Sequence, residues 1–351
     1  MDHAGRLAAL RQRITEPLLV SRLPNLRYLT GFQGSNGYLL IAKERSVFVT
    51  DGRYGEVAAR LVEALPGTDL EVYQGPVWPV LGKVLDGLAR VSLEANGVTW
   101  SFARRLAEEV SGELHPAERI VEALRMRKDE GEVAALRRAA GAGDHAFSRL
   151  PELLEDAGTE ADVGRGLLES MRQQGGERPE WEPIVAAGAN AALPHHRAGG
   201  SPVGHGLLLL DYGCQVDGYH SDMSRTVWLD GQPEGDWAEI HHAVREAQEA
   251  AIAAVRPGVP AREVDQVARR SLAGRGYGEF FVHSTGHGVG LEIHEDPKVS
   301  TTSEDTLAAG QVITVEPGVY LPGRGGVRIE DMVLVSEDGP VVLTGSAKEL
   351  A

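Results

Sequence analysis

The sequence predicts two domains, an α/β layer domain followed by a larger α+β domain, and three observations carry that reading. Over the first 120 residues, β-rich runs alternate with amphipathic stretches, the order of elements that builds α/β layers. A long charged helix at 129–150 then opens a second region. The last hundred residues are mostly strand, and hairpins in both halves of 121–351 carry paired carboxylates. The expected division of the 351 residues is therefore 1–120 and 121–351.

Taken in order, Leu7, Leu10 and Ile14 recur at helical spacing, so 3–14 reads as a helix that Pro17 ends as strand PLLV begins. YLLIA and SVFVT are strands joined by the charged turn Lys43-Glu44-Arg45. Helix 55–65, strand DLEVY, helix 78–88, strand VSLEA and helix 102–110 follow. The boundary is expected at 114–121, where a proline sits in a polar stretch. Beyond helix 129–150, Thr159 N-caps another helix with Asp162 three residues on. PIVAAG is a short strand, and the loop NAALPHHRAGGSP leads to the central hairpin. Helices 236–255 and 261–272 separate that hairpin from the strand-rich end.

Composition narrows the function. The chain is 42% apolar and 25% charged, as soluble globular proteins are, and its formal charge of -16 argues against a nucleic-acid partner. Cys214 is the only cysteine, so no intrachain disulfide can form, and its expected role is to fill a strand. There is no apolar window of roughly 18 residues, and the charged, amphipathic start does not read as a signal peptide. A cytoplasmic protein with no membrane partner is expected.

The chemistry gathers around LLLLDYGCQVDGYHSDMSRTV at 207–227. A buried strand ends on Asp211, and Asp217-Gly218 turns the chain back to Asp222, expected roughly opposite Asp211 and about 5 Å from it. Two carboxylates so close need a proton or a cation between them. Downstream, HSTGHGVGLEIHEDP carries His283, His287 and His294, VITVEPG carries Glu316 and GVRIEDM carries Glu330, the two glutamates straddling a hairpin that turns at 321–326. Two Asp, one His and two Glu form a hard, oxygen-rich set suited to a pair of divalent ions such as Mn²⁺, Co²⁺ or Zn²⁺.

On these residues, Asp211, Asp222, His287 in its GHGxG loop, Glu316 and Glu330, the sequence resembles the pita-bread metallopeptidases: methionine aminopeptidase, aminopeptidase P and prolidase. NLRYLTGFQGSNGYLL and FVTDGRYGEVA resemble the creatinase-type N-terminal domain that prolidases and aminopeptidases P carry. The resemblance implies a curved antiparallel sheet backed by helices, with all four carboxylates on its concave face. It implies that Glu330 bridges two ions and that Glu316, also a ligand, accepts a proton from water. It implies that His294 and His283 stabilise the oxyanion, that His195 after Pro194 contacts substrate, and that Arg328 orients the metal carboxylates.

For substrate, the resemblance implies cleavage between an N-terminal residue and proline, in Xaa-Pro dipeptides or short proline-containing peptides. The expected activity is that of a prolidase; the alternative is an aminopeptidase P acting on longer peptides. A dipeptide's carboxylate calls for a nearby cation, and Arg45 and Arg53 are the candidates. A homodimer is expected. A non-hydrolytic scaffold and a metal-free creatinase-like hydrolase are less favoured, because both expect missing carboxylate ligands and all five ligands are present.

Overall fold

The structure, a computed structural model, describes every residue except 178, 180 and 351. The chain divides into two compact units, Met1–Arg125 and Met126–Ala351, where the sequence reading divides it at 120/121.

Unit 1 runs α1 (His3–Arg13), β1 (Leu18–Val20), α2 (Leu23–Thr30), β2 (Tyr38–Ile41), β3 (Ser46–Asp51), α3 (Gly55–Glu63), β4 (Thr68–Tyr73), α4 (Trp78–Leu85), β5 (Arg90–Glu94), α5 (Trp100–Glu109), β6 (Glu113–Ala117) and α6 (Glu122–Arg125). The sheet order is β4-β3-β2-β1-β5-β6. The β1–β2–β3 ladders are antiparallel and the others parallel. Leu19, Leu40, Val49 and Leu93 from the sheet pack with Leu81, Leu85 and Leu106 from α4 and α5, the α/β layering that the alternation predicts. Three elements were not anticipated, the four-residue α6 among them. Helix α2 is short but punctuated at both ends, with Pro24 in its first turn and Gly31 at φ 78 as its C-cap. Strand β6 holds Pro116, which the sheet tolerates because β6 is an edge; the proline marks the rim of this sheet, and the chain leaves the unit only after α6.

Unit 2 opens with α7 (Glu130–Ser148), α8 (Leu150–Asp156) and α9 (Glu160–Gln173). Asp129 with Glu132 and Thr159 with Asp162 close capping boxes at α7 and α9. Then come β7 (Ile184–Ala187), β8 (Gly206–Tyr212), β9 (Gln215–Val216), β10 (Tyr219–His220), β11 (Met223–Leu229), α10 (Trp237–Ala254) and α11 (Ala261–Gly274). The strand-rich end is β12 (Gly286–Gly288), β13 (Glu295–Val299), β14 (Val312–Val315), β15 (Gly318–Leu321), β16 (Gly325–Arg328), β17 (Asp331–Ser336) and β18 (Gly339–Val342). Among the described residues, no helix is long and apolar enough to cross a membrane.

Both faces of β8 are buried, which is why it reads as an unbroken leucine run. Leu208, Leu210 and Tyr212 pack with α7 and α9, where Cys214 is a filler as expected, while Leu207 and Leu209 pack with α10 and α11. Residue 211 continues the second face. Antiparallel ladders β11-β8-β7 and β13-β12-β14-β17-β18 make the two larger sheets of the unit, and they meet where Glu330 N donates to Ser224 O at 3.1 Å.

Arg225 and Thr226 hold that junction. Thr226 Oγ1 donates to Arg328 O and accepts from Arg328 N, both at 3.1 Å. The Arg225 guanidinium donates to Ser224 O, Glu330 O and the Asp331 carboxylate, and it reaches on to Ser346 O and Ala347 O. Arg225 is 1% exposed and Asp331 0%. Lys348 also answers the Asp331 carboxylate, so the cost of removing Arg225 is that of the buried acceptors it leaves without their donor, about 1–3 kcal/mol. Arg225→Ala should therefore lower the urea midpoint by an amount equivalent to a loss of that size; a shift worth less than about 1 kcal/mol would show that the staple is dispensable.

Candidate active site

Two β-hairpins deliver the carboxylates. In the first, Val216 pairs Tyr219 across a two-residue turn in which Asp217 (φ 52) and Gly218 (φ 76) are both left-handed, the geometry of a tight hairpin. That turn puts Asp211 opposite Ser224, so Asp222 is its diagonal neighbour two residues away and not its direct partner. The turn falls at Asp217-Gly218 as expected, and the partner of Asp211 is residue 224 where 222 was expected. That register brings Ser224 into the centre, where its hydroxyl meets Glu330 and Arg328.

In the second hairpin, β14 pairs β17 with Val315 opposite Asp331, and β15 pairs β16 with Gly318 opposite Arg328. One register runs through both ladders, so Glu316 and Glu330 face each other in the gap between them. Pro317 sits in that gap and has no N–H to close it. Ile329 N donates to Pro317 O at 3.5 Å, so 316 and 330 form the non-hydrogen-bonded pair beside it and their backbone groups point outward: Glu316 N donates to Thr285 O at 2.7 Å, and Glu330 N to the first hairpin. Those bonds tie both glutamates to the rest of the site.

His287 arrives on β12 between glycines whose absent side chains permit close approach: a Cβ at Gly286 would lie 2.0 Å from Thr314 O, and one at Gly288 2.3 Å from Asp296 O. Its Nδ1 lies 3.0 Å from Gly288 O. A carbonyl only accepts, so Nδ1 carries the proton and the Nε2 lone pair is free. That Nε2 is 3.4 Å from Glu316 Oε1 and 3.6 Å from Asp222 Oδ2. Asp222, His287 and Glu330 offer one donor atom each, all within 4.8 Å of one another. Ser224 Oγ donates to Glu330 Oε2 at 2.7 Å, and Thr314 Oγ1 to Glu316 Oε1 at 3.2 Å. Arg328 pairs with Asp211 and donates from Nε to Ser224 Oγ at 2.8 Å.

Burial and crowding dominate the electrostatics. Desolvation first, then the charges of Asp211 and Glu316, drive the Asp222 carboxyl well above the usual carboxylate range. Glu330 is driven up by the same burial and by Asp222, Glu316 and Asp211. Burial pushes Glu316 to about 8, opposed by Arg328, and pushes His287 down to about 4. Burial and mutual repulsion thus favour the protonated carboxyl and the neutral imidazole in this centre, with Arg328 the one opposing charge that acts on it among the described residues. A divalent cation would replace those protons, and the oxygen-rich set with one bare imidazole nitrogen fits such an ion.

The other expected site residues fall in two groups. His294 stacks edge-on against His287, ring centroids 4.3 Å apart, and its own ring makes no hydrogen bond among the described residues. His195 is exposed and acts electrostatically on both His283 and His294. His283 has both ring nitrogens engaged: Nδ1 lies 2.8 Å from Ser284 O, and Nε2 2.8 Å from Tyr320 Oη. Tyr320 Oη in turn accepts from Arg328 Nη1 at 2.6 Å. This directs one relay of donors, Arg328 to Tyr320 to His283 to Ser284 O, and leaves His283 no free N–H. Arg45 and Arg53 belong to unit 1. Arg45 is exposed in the β2–β3 turn, and Arg53 is paired with Asp51 through two side-chain bonds of 2.9 and 2.8 Å.

Tyr320, Ser224 and Thr314 escaped the sequence reading. Strand alternation is the signal that finds them: 314, 316 and 320 share one face of their ribbon, and 222 and 224 share one face of theirs.

The raised carboxyl groups make a pH prediction for metal-free protein. A Glu316 that titrates at about 8 when folded and near 4.3 when unfolded keeps its proton longer in the native state. Its stabilisation is full below the unfolded value and is lost as pH rises through 8. The lowered His241, His283 and His287, all at about 4, contribute in the opposite sense only below pH ~6.5. Metal-free protein should therefore lose melting temperature from pH 6.5 to 8.5, and added Mn²⁺ should abolish the loss. A flat metal-free profile over that range would contradict the crowded-carboxyl reading.

Comparison with known proteins agrees with this geometry. Metallopeptidase family M24 matches residues 134–337, and the creatinase/prolidase N-terminal domain matches 6–127. The chain is 33% identical to an Xaa-Pro dipeptidase of Pyrococcus horikoshii, over 95% of this chain and 94% of that one. The solved structure of an Xaa-Pro dipeptidase from Bacillus anthracis superposes with a TM-score of 0.93 at 35% identity, covering 100% of this chain and 99% of that one. An X-Pro aminopeptidase from Thermotoga maritima superposes at 0.87 and 33%, covering 97% and 99%. The chain belongs to metallopeptidase family M24, with a creatinase/prolidase N-terminal domain, and is a metal-dependent peptidase.

Proposed function

We propose that the protein is an Xaa-Pro dipeptidase that uses two divalent ions, Mn²⁺, Co²⁺ or Zn²⁺, held by Asp211, Asp222, His287, Glu316 and Glu330. The observation that carries the reading is the buried meeting of Asp222, His287 and Glu330 donor atoms within 4.8 Å, with Glu316 and the Arg328-bound Asp211 beside it. The full-length likeness to Xaa-Pro dipeptidases supports the substrate class. When bound, such ions supply Lewis acidity that acidifies a water and polarises the scissile carbonyl.

The chain's residues do the rest. Glu316 Oε1 is engaged by Thr314, so Oε2 is the atom left to take a proton from the attacking water. His294, with a ring free of other hydrogen bonds, donates to the developing oxyanion. His283 holds Tyr320 through Nε2, and His195 contacts the substrate. Arg328 and Ser224 keep Asp211 and Glu330 in place, as hydrogen-bonded partners of ligands do. An Xaa-Pro bond has no N–H, so no acceptor for that group is needed. Arg45 and Arg53 stay the candidates for reading the dipeptide's carboxylate. A homodimer in a cytoplasmic setting belongs to the same reading.

A second reading, an aminopeptidase acting on longer peptides, is favoured by the likeness to the Thermotoga maritima enzyme. Matched rates on Ala-Pro and Ala-Pro-Ala, with Mn²⁺ and then with chelator, separate the two. Faster, chelator-sensitive Ala-Pro cleavage is expected; a preference for Ala-Pro-Ala would make the protein an aminopeptidase. Asp222→Asn should lose metal and activity together, and a variant that retained full Ala-Pro cleavage would remove Asp222 from the centre. His294→Ala should keep its metal while kcat falls by about 10²-fold or more; a normal kcat would end the oxyanion assignment.

A further inference from the structure

We propose that Glu160 and His196 form a positioning pair that presents His195 to the substrate, although neither touches the substrate itself. The inference rests on the role given to His195 above.

Glu160 is the first residue of α9 and is 0% exposed. A buried carboxylate at a helix start is ordinarily accounted for by its own helix, but here its side-chain partners come from the last residue of β7 and from the segment that follows it and carries His195. Oε1 accepts from Ala187 N at 2.9 Å and from Asn190 Nδ2 at 2.8 Å. Oε2 accepts from Gly199 N at 3.2 Å and faces His196 Nε2 at 2.8 Å. The surrounding donors hold Glu160 below its usual range; an ionised carboxylate only accepts, so His196 Nε2 carries the proton. Four donors fill the two oxygens. The backbone repeats the attachment, with Glu160 N donating to Ser201 O and Ala161 N to Gly199 O, both at 3.0 Å.

The spacing along the loop assigns the purpose. Pro194 O accepts from Arg328 Nη1 at 3.4 Å, which ties the residue before His195 to the carboxylate centre. His196 ties the residue after it to Glu160. His195 is thus the exposed residue between two anchored neighbours, and its imidazole keeps its place near His283 and His294 without a hydrogen-bonded partner of its own among the described residues. Fixing a chain on both sides of a contact residue lowers the ordering cost when substrate arrives, and a misplacement of about 1 Å is worth roughly 10²-fold in rate. His196 thereby acquires a role distinct from that of His195.

The test is a double-mutant cycle on the manganese-loaded enzyme, with Ala-Pro as substrate, joined to a metal titration and a melting curve for each variant. His196→Ala should lower kcat/KM about 10-fold or more, with bound metal unchanged, because no proposed ligand lies on this loop. His196→Gln, which keeps an N–H donor near the Nε2 position, should recover most of that loss. In a His195→Ala background, His196→Ala should cost nothing further, since the residue being positioned is gone. Glu160→Gln, with one acceptor turned into a donor, should behave as His196→Ala does. Full additivity in the cycle, or normal kcat/KM in His196→Ala while His195→Ala is impaired, would overturn the inference and leave the function intact. An unimpaired His195→Ala enzyme would remove His195 from the site and this inference with it.

Discussion

The structure of unit 2 is governed by one electrostatic constraint: Asp222, Glu316 and Glu330 must be held together out of water, beside Asp211, against their mutual repulsion. Taking even one carboxylate out of water is costly, and several sharing a site cannot all be ionised without a compensating charge. The fold supplies the compensation in layers. Arg328 answers Asp211 directly. Ser224 and Thr314 each give a hydroxyl to one glutamate. Behind them, Arg225 spans the two sheets and binds the carbonyl oxygen of Glu330 itself. What remains uncompensated is the space facing His287 Nε2, and that residual demand is what a divalent metal satisfies.

The geometry also accounts for the order of elements around the centre. In the shared register of the two ladders, Glu316 and Glu330 fall on a non-hydrogen-bonded pair, so their backbone groups face the neighbouring strands and not each other. Glu330 thus pairs with the first hairpin and Glu316 with the loop before His287. Three separate stretches of chain are joined at one place by that alternation. The helices then bury the outer faces, α7 and α9 behind one half and α10 and α11 behind the other.

Much of this was legible from residues alone. The leucine run before Asp211, the Asp217-Gly218 turn and the two glutamates embedded in apolar strand are signals of period and turn chemistry, and they brought the five acidic and imidazole groups into one reading. The Asp217-Gly218 turn lies where the sequence puts it, but it pairs Asp211 with Ser224 and not with Asp222, because strand partners are counted from the centre of the two-residue turn. The relay through Tyr320 was invisible for a different reason: a tyrosine in a buried strand reads as core, and its hydroxyl has meaning only once Arg328 and His283 stand on either side of it. The same holds for Glu160, whose position at a helix start reads as capping, while its partners lie 27 to 39 residues away. Helix α2, strand β6 and helix α6 were missed in unit 1 because each is short, eight residues at most, and tertiary contacts decided them.

The proposed two-ion centre is decided by calorimetric titration of chelator-treated protein with Mn²⁺ at pH 7, in two buffers of different ionisation heat. Saturation at two ions per chain is expected, with protons released as the ions enter, since the raised carboxyl groups surrender them. Saturation without proton release, or no binding at all, would contradict it.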